Sequence, residues 1–297
     1  MKSSVPAGLR LAFLAAPQHR PALPLHAQWA SVRFFDPSRG WSLAAAEATL
    51  FRPDLTFIVF DDSFDPAAVK DIPGTRVGMV VRPPHGAAGP WPLASWRESI
   101  ALTTWYEPPP KGEPEPFAII PLPVDRNDLA PPDFKQRRIV VPRWAAPSTE
   151  ILERLAKMEE LVVLEPQGRV DDQLKILDTS GVFVTTTYDA TGRLDPLPLH
   201  AMGRGLLVIT TTAFAPLWGF EPEDDYLIRP EHSILAAVDE FLRIPDTSRA
   251  VRLRAFQKVA EFFDADEVFQ RLTVDALISI DAARLAPQGG ARLRSVK

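Results

Sequence analysis

The segment Val182 to Arg243 decides how this chain is read: VFVTTT at 182–187, YDATGRLDPLPLHAMGRG at 188–205, LLVITTT at 206–212 and YLIRPEHSILAAVDEFLR at 226–243. Its order is strand, loop, short helix ending in glycine, strand, loop, strand, helix. That is the rhythm of half a domain built on an open parallel sheet with crossover helices.

The same rhythm extends in both directions. Upstream, RRIVV leads to a helix over Ser148 to Met158 capped by Ser148 or Thr149, then to strand LVVL and a helix over Asp171 to Leu177. Downstream, RAVRLRAFQKVAEFF and ADEVFQRLTVDALISI repeat apolar residues every three and four positions, as two amphipathic helices do. Near the start of the chain, RLAFLA, SVRFF, LTFIVF, RVGMVV, ESIALTT and FAII are candidate strands, with helical segments at Ser42 to Phe51 and at Pro66 to Lys70 behind Asp65. LTFIVF and RVGMVV are apolar on both faces, which a strand tolerates when helices cover both sides of its sheet.

Proline punctuates the middle: PPPKGEPEP at 108–116 and PLPVDRNDLAPPDF at 121–134 belong to a total of 31. Proline lacks the amide donor and restricts its predecessor, so neither segment continues a helix or a central strand. The linker between two α/β domains is placed there. The expected division is a Rossmann-like domain over 1–133, a second over 134–285 and a frayed basic tail over 286–297.

A chain of 297 residues with 46% hydrophobic content can bury a sizeable core, and a net charge of -5 gives no global footprint for nucleic acid or anionic lipid. The absence of cysteine excludes disulfides, thiolate metal sites and cysteine nucleophiles. LAFLAA, between Arg10 and Pro17, is too short for a signal peptide or a membrane span, so a cytoplasmic location is expected. Phosphate-loop, dinucleotide, zinc-protease and serine-hydrolase motifs are missing, and histidines 19, 26, 85, 200 and 232 lack ligand spacing, so no bound metal is expected.

The second half resembles the GT-B glycosyltransferases, particularly their CgeB-like and group 1 branch. LHAMGRGLLVITT at 199–211 follows that family's F-E-A-x-A-x-G helix and its threonine-ended strand, and GFEPEDDYLI at 219–228 stands where the family has f-x-p-G-x-E. IIPLPVD resembles the family's approach to its second domain. The resemblance covers roughly 138–280 and implies two Rossmann-like domains with a cleft between them. It also implies transfer of a sugar from a nucleoside-diphosphate sugar to an unidentified hydroxyl acceptor, with no further cofactor.

The resemblance implies roles for particular residues. The family's phosphate-binding arginine corresponds to Arg143, but its lysine is Ser148 here. Two glutamates spaced by eight, one near the sugar and one on the ribose, correspond to Gly192 and His200; a neutral imidazole still offers one donor and one acceptor to a ribose. The loop Tyr188 to Asp195 feeds a helix start, where amides and a partial positive charge suit a diphosphate; Asp189 and Arg193 are its candidates. Glu223 or Asp224 would reach the donor sugar. In the first half Asp61, Asp62, Arg82 and His85 follow strands at ends facing the cleft, and Asp62 and His85 are the candidate catalytic groups. The same carboxylates also read as a solvated turn or helix cap, and His200 as a core residue.

Three functions stay open at this level. The first is an active transferase, inverting or retaining. The second is a GT-like binding or assembly protein that has lost catalysis, as Gly192, His200 and Ser148 suggest. The third is a glycosyltransferase acting on a modified base in nucleic acid, which the acidic balance disfavours.

Overall fold

The computed structural model describes residues 6–17, 23–24, 27–60, 63–80, 96, 98–105, 117–119, 123–165, 170–186, 197–214 and 219–285. Six parallel strands form the first sheet: β1 (Arg10–Leu14), β2 (Ser31–Phe35), β3 (Leu55–Val59), β4 (Thr75–Val80), β5 (Leu102–Trp105) and β6 (Ala118–Ile119), in spatial order β2-β1-β3-β4-β5-β6. Helices α1 (Trp41–Phe51) and α2 (Pro66–Val69) lie between its early strands. Every residue of β3 is buried, Thr56 included, as expected of a strand whose sheet is covered on both faces.

The second sheet has five parallel strands, β7 (Ile139–Pro142), β8 (Leu161–Leu164), β9 (Val182–Thr185), β10 (Leu207–Thr210) and β11 (Leu227–Ile228), in spatial order β11-β10-β9-β7-β8. Its helices are α3 (Thr149–Met158), α4 (Val170–Asp178), α5 (Leu197–Gly203) and α6 (Ile234–Arg243), followed by α7 (Arg249–Phe262) and α8 (Ala265–Leu285). In each sheet the chain reverses its winding beside the first strand, between β1 and β3 and again between β7 and β9. Such reversals open a crevice outside the carboxyl ends of the strands.

The proline-rich connection is tied down where it is described. Val124 pairs with Asp264, its amide donating to the Phe263 carbonyl at 2.7 Å and its carbonyl accepting from the Ala265 amide at 2.9 Å. From that junction α8 returns to the first sheet, where Phe269 meets Phe13 and Phe57 edge-on at centroid distances of 5.1 and 5.5 Å. Apolar burial therefore joins the chain's last helix to its first strand.

The glycine stop read after LHAMG is a Schellman turn. The Leu206 amide donates to the Ala201 carbonyl at 3.0 Å and the Gly205 amide to Met202 at 2.9 Å, with Gly205 at φ +68. A methyl group on Gly205 would also strike Pro132. Gly205→Ala is expected to lower unfolding free energy by about 2 kcal/mol through backbone strain and overpacking, as read by urea denaturation.

Candidate functional site

Backbone pairing assembles the carboxyl end of the second sheet. β7 and β8 run in parallel with Ile139 opposite Leu161 and Pro142 opposite Leu164, so one step further places Arg143 beside Glu165. The pair is bidentate: Arg143 Nε lies 2.8 and 2.7 Å from the two Glu165 oxygens, and Nη2 lies 2.6 Å from Oε1. Both side chains face solvent, 58% and 55% exposed. The hydrogen bond from Arg143 and its positive charge hold the Glu165 carboxyl below its ordinary range, and the hydrogen bond to Glu165 raises the guanidinium.

Neighbouring strands fix this corner. Arg143 opens a 3-10 turn through Ala145, and the Ala145 carbonyl accepts from the Thr186 amide at 2.8 Å and from its hydroxyl at 3.1 Å, which ties the end of β7 to the end of β9. Trp144, beside Arg143 on the turn, is 38% exposed. Gln173 of α4 is buried and donates to the Glu165 carbonyl at 2.8 Å. Five residues beyond Arg143, the Ser148 amide at the start of α3 donates to Glu231 Oε1 at 2.7 Å. Ser148 occupies the N-cap position, yet its side chain makes no cap hydrogen bond.

His200 and Glu223 occupy different surroundings. His200 is 3% exposed within α5, whose residues are all buried, and its Nδ1 has no hydrogen-bond partner. Burial, helped by the Arg204 charge, lowers its pKa to about 3, so the imidazole is neutral. Glu223 sits at φ +66 in the loop between β10 and β11, and its oxygens accept from Arg229 at 2.6 and 3.0 Å. That hydrogen bond and the Arg229 charge hold its carboxyl below the ordinary range despite some desolvation.

Asp61, Asp62, Arg82, His85, Asp189, Gly192, Arg193 and the tail over 286–297 lie outside the described residues. Of the expected site residues that are described, Arg143 stands at the carboxyl end of β7, Glu223 pairs with Arg229 in the loop before β11, and His200 lies in the core. Glu165 was missed in the sequence, although a signal was present: it follows LVVL as Arg143 follows IVVP. Among the described residues, no helix is long and apolar enough to cross a membrane, and no group of three or more histidine, aspartate or glutamate side chains is placed to hold a metal ion.

Two open parallel sheets, each reversing its winding and joined through one connection, with the last helix returning to the first sheet, constitute a GT-B fold. No protein-family model matches the chain, and no curated protein matches it. Among solved structures, Anabaena HepE in complex with UDP and glucose aligns over 93% of this chain and 100% of its own, at 10% identity and a TM-score of 0.56. Sucrose-phosphate synthase from Thermosynechococcus elongatus aligns over 93% and 100% at 9% identity and 0.54, and a glycosyltransferase from Rickettsia africae over 93% and 99% at 10% and 0.53. These likenesses span nearly the whole chain and are likenesses of fold.

Proposed function

We propose that this chain is a nucleotide-sugar-dependent glycosyltransferase that works without a bound metal, with the donor held by residues 134–285 and a hydroxyl acceptor by residues 1–133. Arg143 carries the reading: a guanidinium directly beyond the carboxyl end of a strand at the winding reversal, where open α/β sheets receive ligands. The fold it shares with HepE, which was captured with UDP and glucose, supports a nucleoside-diphosphate donor.

In this reading the acceptor oxygen attacks the anomeric carbon, the carbon–oxygen bond to the diphosphate breaks, and the nucleoside diphosphate leaves with the bonding pair. The acceptor proton passes to Asp62 or His85 if the transfer inverts. Arg143 then stabilises charge growing on the leaving diphosphate, which a planar guanidinium does with paired hydrogen bonds. Asp189, Arg193 and Glu223 complete the donor side, whereas His200, at the position the resemblance gives to the ribose contact, is closed within α5.

The test is calorimetry with UDP, GDP, ADP and UDP-glucose. Arg143→Ala is expected to weaken the binding of whichever nucleotide binds by roughly ten-fold, the contribution of a charged hydrogen-bonded contact. No binding by the unaltered chain across that set would remove the donor reading. A second reading, a GT-like binding protein without catalysis, is favoured by the burial of His200 at a ribose-contact position. Donor binding with no sugar release or transfer in single-turnover assays would select it.

A further inference from the structure

We propose that Glu165 acts as an internal competitor for the donor diphosphate, occupying the Arg143 guanidinium until the nucleotide displaces it. The inference rests on the donor reading of Arg143 and adds a residue that tunes affinity at the same site. Its geometry is that of a ligand in place: both carboxylate oxygens engage Arg143 between 2.6 and 2.8 Å, the paired contact a phosphate would make. Both groups are more than half exposed, so the pair is cheap to break. The Glu165 carbonyl is meanwhile anchored by Gln173, so the carboxylate stays beside the diphosphate after displacement and opposes it by charge. The α3 start repeats the arrangement, its Ser148 amide held by the Glu231 carboxylate.

Position separates this pair from ladder-end pairing alone. Arg137 with Glu159 and Arg138 with Glu160 bracket the opposite end of the same ladder at 3.0 and 2.9 Å, far from the carboxyl ends where a ligand sits. If Arg143 and Glu165 merely pinned the register of edge strand β8, removing the Glu165 charge would change stability and leave ligand binding alone.

The experiment titrates UDP and inorganic pyrophosphate into the unaltered chain, Glu165→Gln, Arg143→Ala and the double variant. Glu165→Gln is expected to tighten both probes roughly two- to five-fold, the span of an exposed ion pair. The gain should shrink when Arg143 is already alanine, because no guanidinium then remains to be released. The Gln173 bond is to the backbone and survives the substitution, so the thermal midpoint should stay nearly unchanged.

Unchanged affinity with a lowered midpoint would overturn the inference in favour of register pinning. Weaker binding by Glu165→Gln would overturn it by making Glu165 a positioning residue that orients Arg143. Failure of the underlying reading looks different: neither probe binds the unaltered chain or Glu165→Gln, or Arg143→Ala binds both as well as the unaltered chain, and the inference then falls with it.

Discussion

Replacing Arg252 with alanine is expected to lower the unfolding free energy by about 3 to 5 kcal/mol, the combined loss of two buried hydrogen bonds and of a large packed side chain. Arg252 in α7 is 1% exposed. Its Nε donates to the Gly205 carbonyl at 2.6 Å and its Nη2 to the Asp133 carbonyl at 3.1 Å. The guanidinium also lies 4.9 Å from the Phe134 ring centroid and 5.6 Å from that of Phe241. One side chain thus joins the interdomain connection, the Schellman turn after α5 and helix α7. Burial lowers its pKa to about 10, and Asp133 opposes that shift, so the group stays charged at neutral pH.

Alanine would leave two carbonyls without their donor and a void between two rings, adding a desolvation cost to a cavity cost. Arg252→Met keeps most of the stem and should lose distinctly less. Urea denaturation of both variants separates the effects: equal losses would place the whole contribution in the hydrogen bonds, and a loss below about 1 kcal/mol for alanine would refute the strut role.

The second large effect is a dependence on acid through His200. Its folded pKa, lowered to about 3 by burial and by the Arg204 charge, lies below the unfolded value of 6.5. The folded chain therefore holds the neutral imidazole, while the unfolded chain takes up a proton once the pH falls below 6.5. Stability from this group is fully present above 6.5 and is lost as the pH drops towards 3, at about 1.4 kcal/mol per unit. At pH 4 the loss is expected to be about 3 kcal/mol.

Asp128 works in the opposite direction, because burial raises its carboxyl pKa and its protonation favours the folded state. The comparison that isolates His200 is the difference in unfolding free energy between pH 7 and pH 4 for the unaltered chain and for His200→Gln. A glutamine does not titrate, so its curve should be flatter by most of that amount. Parallel curves would mean that the imidazole is reached by water in the folded chain.

Much of this architecture is legible in local pattern. LTFIVF, VFVTTT and LLVITTT read as strands because runs of β-branched and aromatic residues suit a sheet covered on both faces, and β3, β9 and β10 are buried throughout. Helix starts were marked by Asp65 with Pro66 and by Ser148, and the stop at Gly205 by the only residue type that enters a left-handed turn without strain. Most predicted bounds differ from the observed ones by a residue or two, as with the helix read from Ser42 and observed from Trp41, because end residues are held by whichever neighbour happens to cap them; the last helix runs five residues beyond ADEVFQRLTVDALISI, to Leu285, and the strand read from Glu98 starts only at Leu102.

The candidate site was less legible. Arg143 was identifiable as a residue after a strand, but a residue's place along the chain does not report its neighbour across a sheet. The partner of Arg143 is twenty-two positions away, and only the register of β7 on β8 brings Glu165 to it. His200 likewise matched a ribose-contact position by alignment of pattern, while the packing of α5 on the second sheet and α7 closed it into the core.

By itself, the sequence determined most of the strands and helices and their parallel α/β rhythm, because each follows from backbone preferences and apolar periodicity within a few residues. The tertiary structure decided which charges meet at the carboxyl end of β7, that Arg252 is a buried strut, and that α8 returns to the first sheet at Phe13 and Phe57. Those outcomes depend on register and on burial between distant segments, where one charge or one ring is stabilised only by a partner that local preference does not specify.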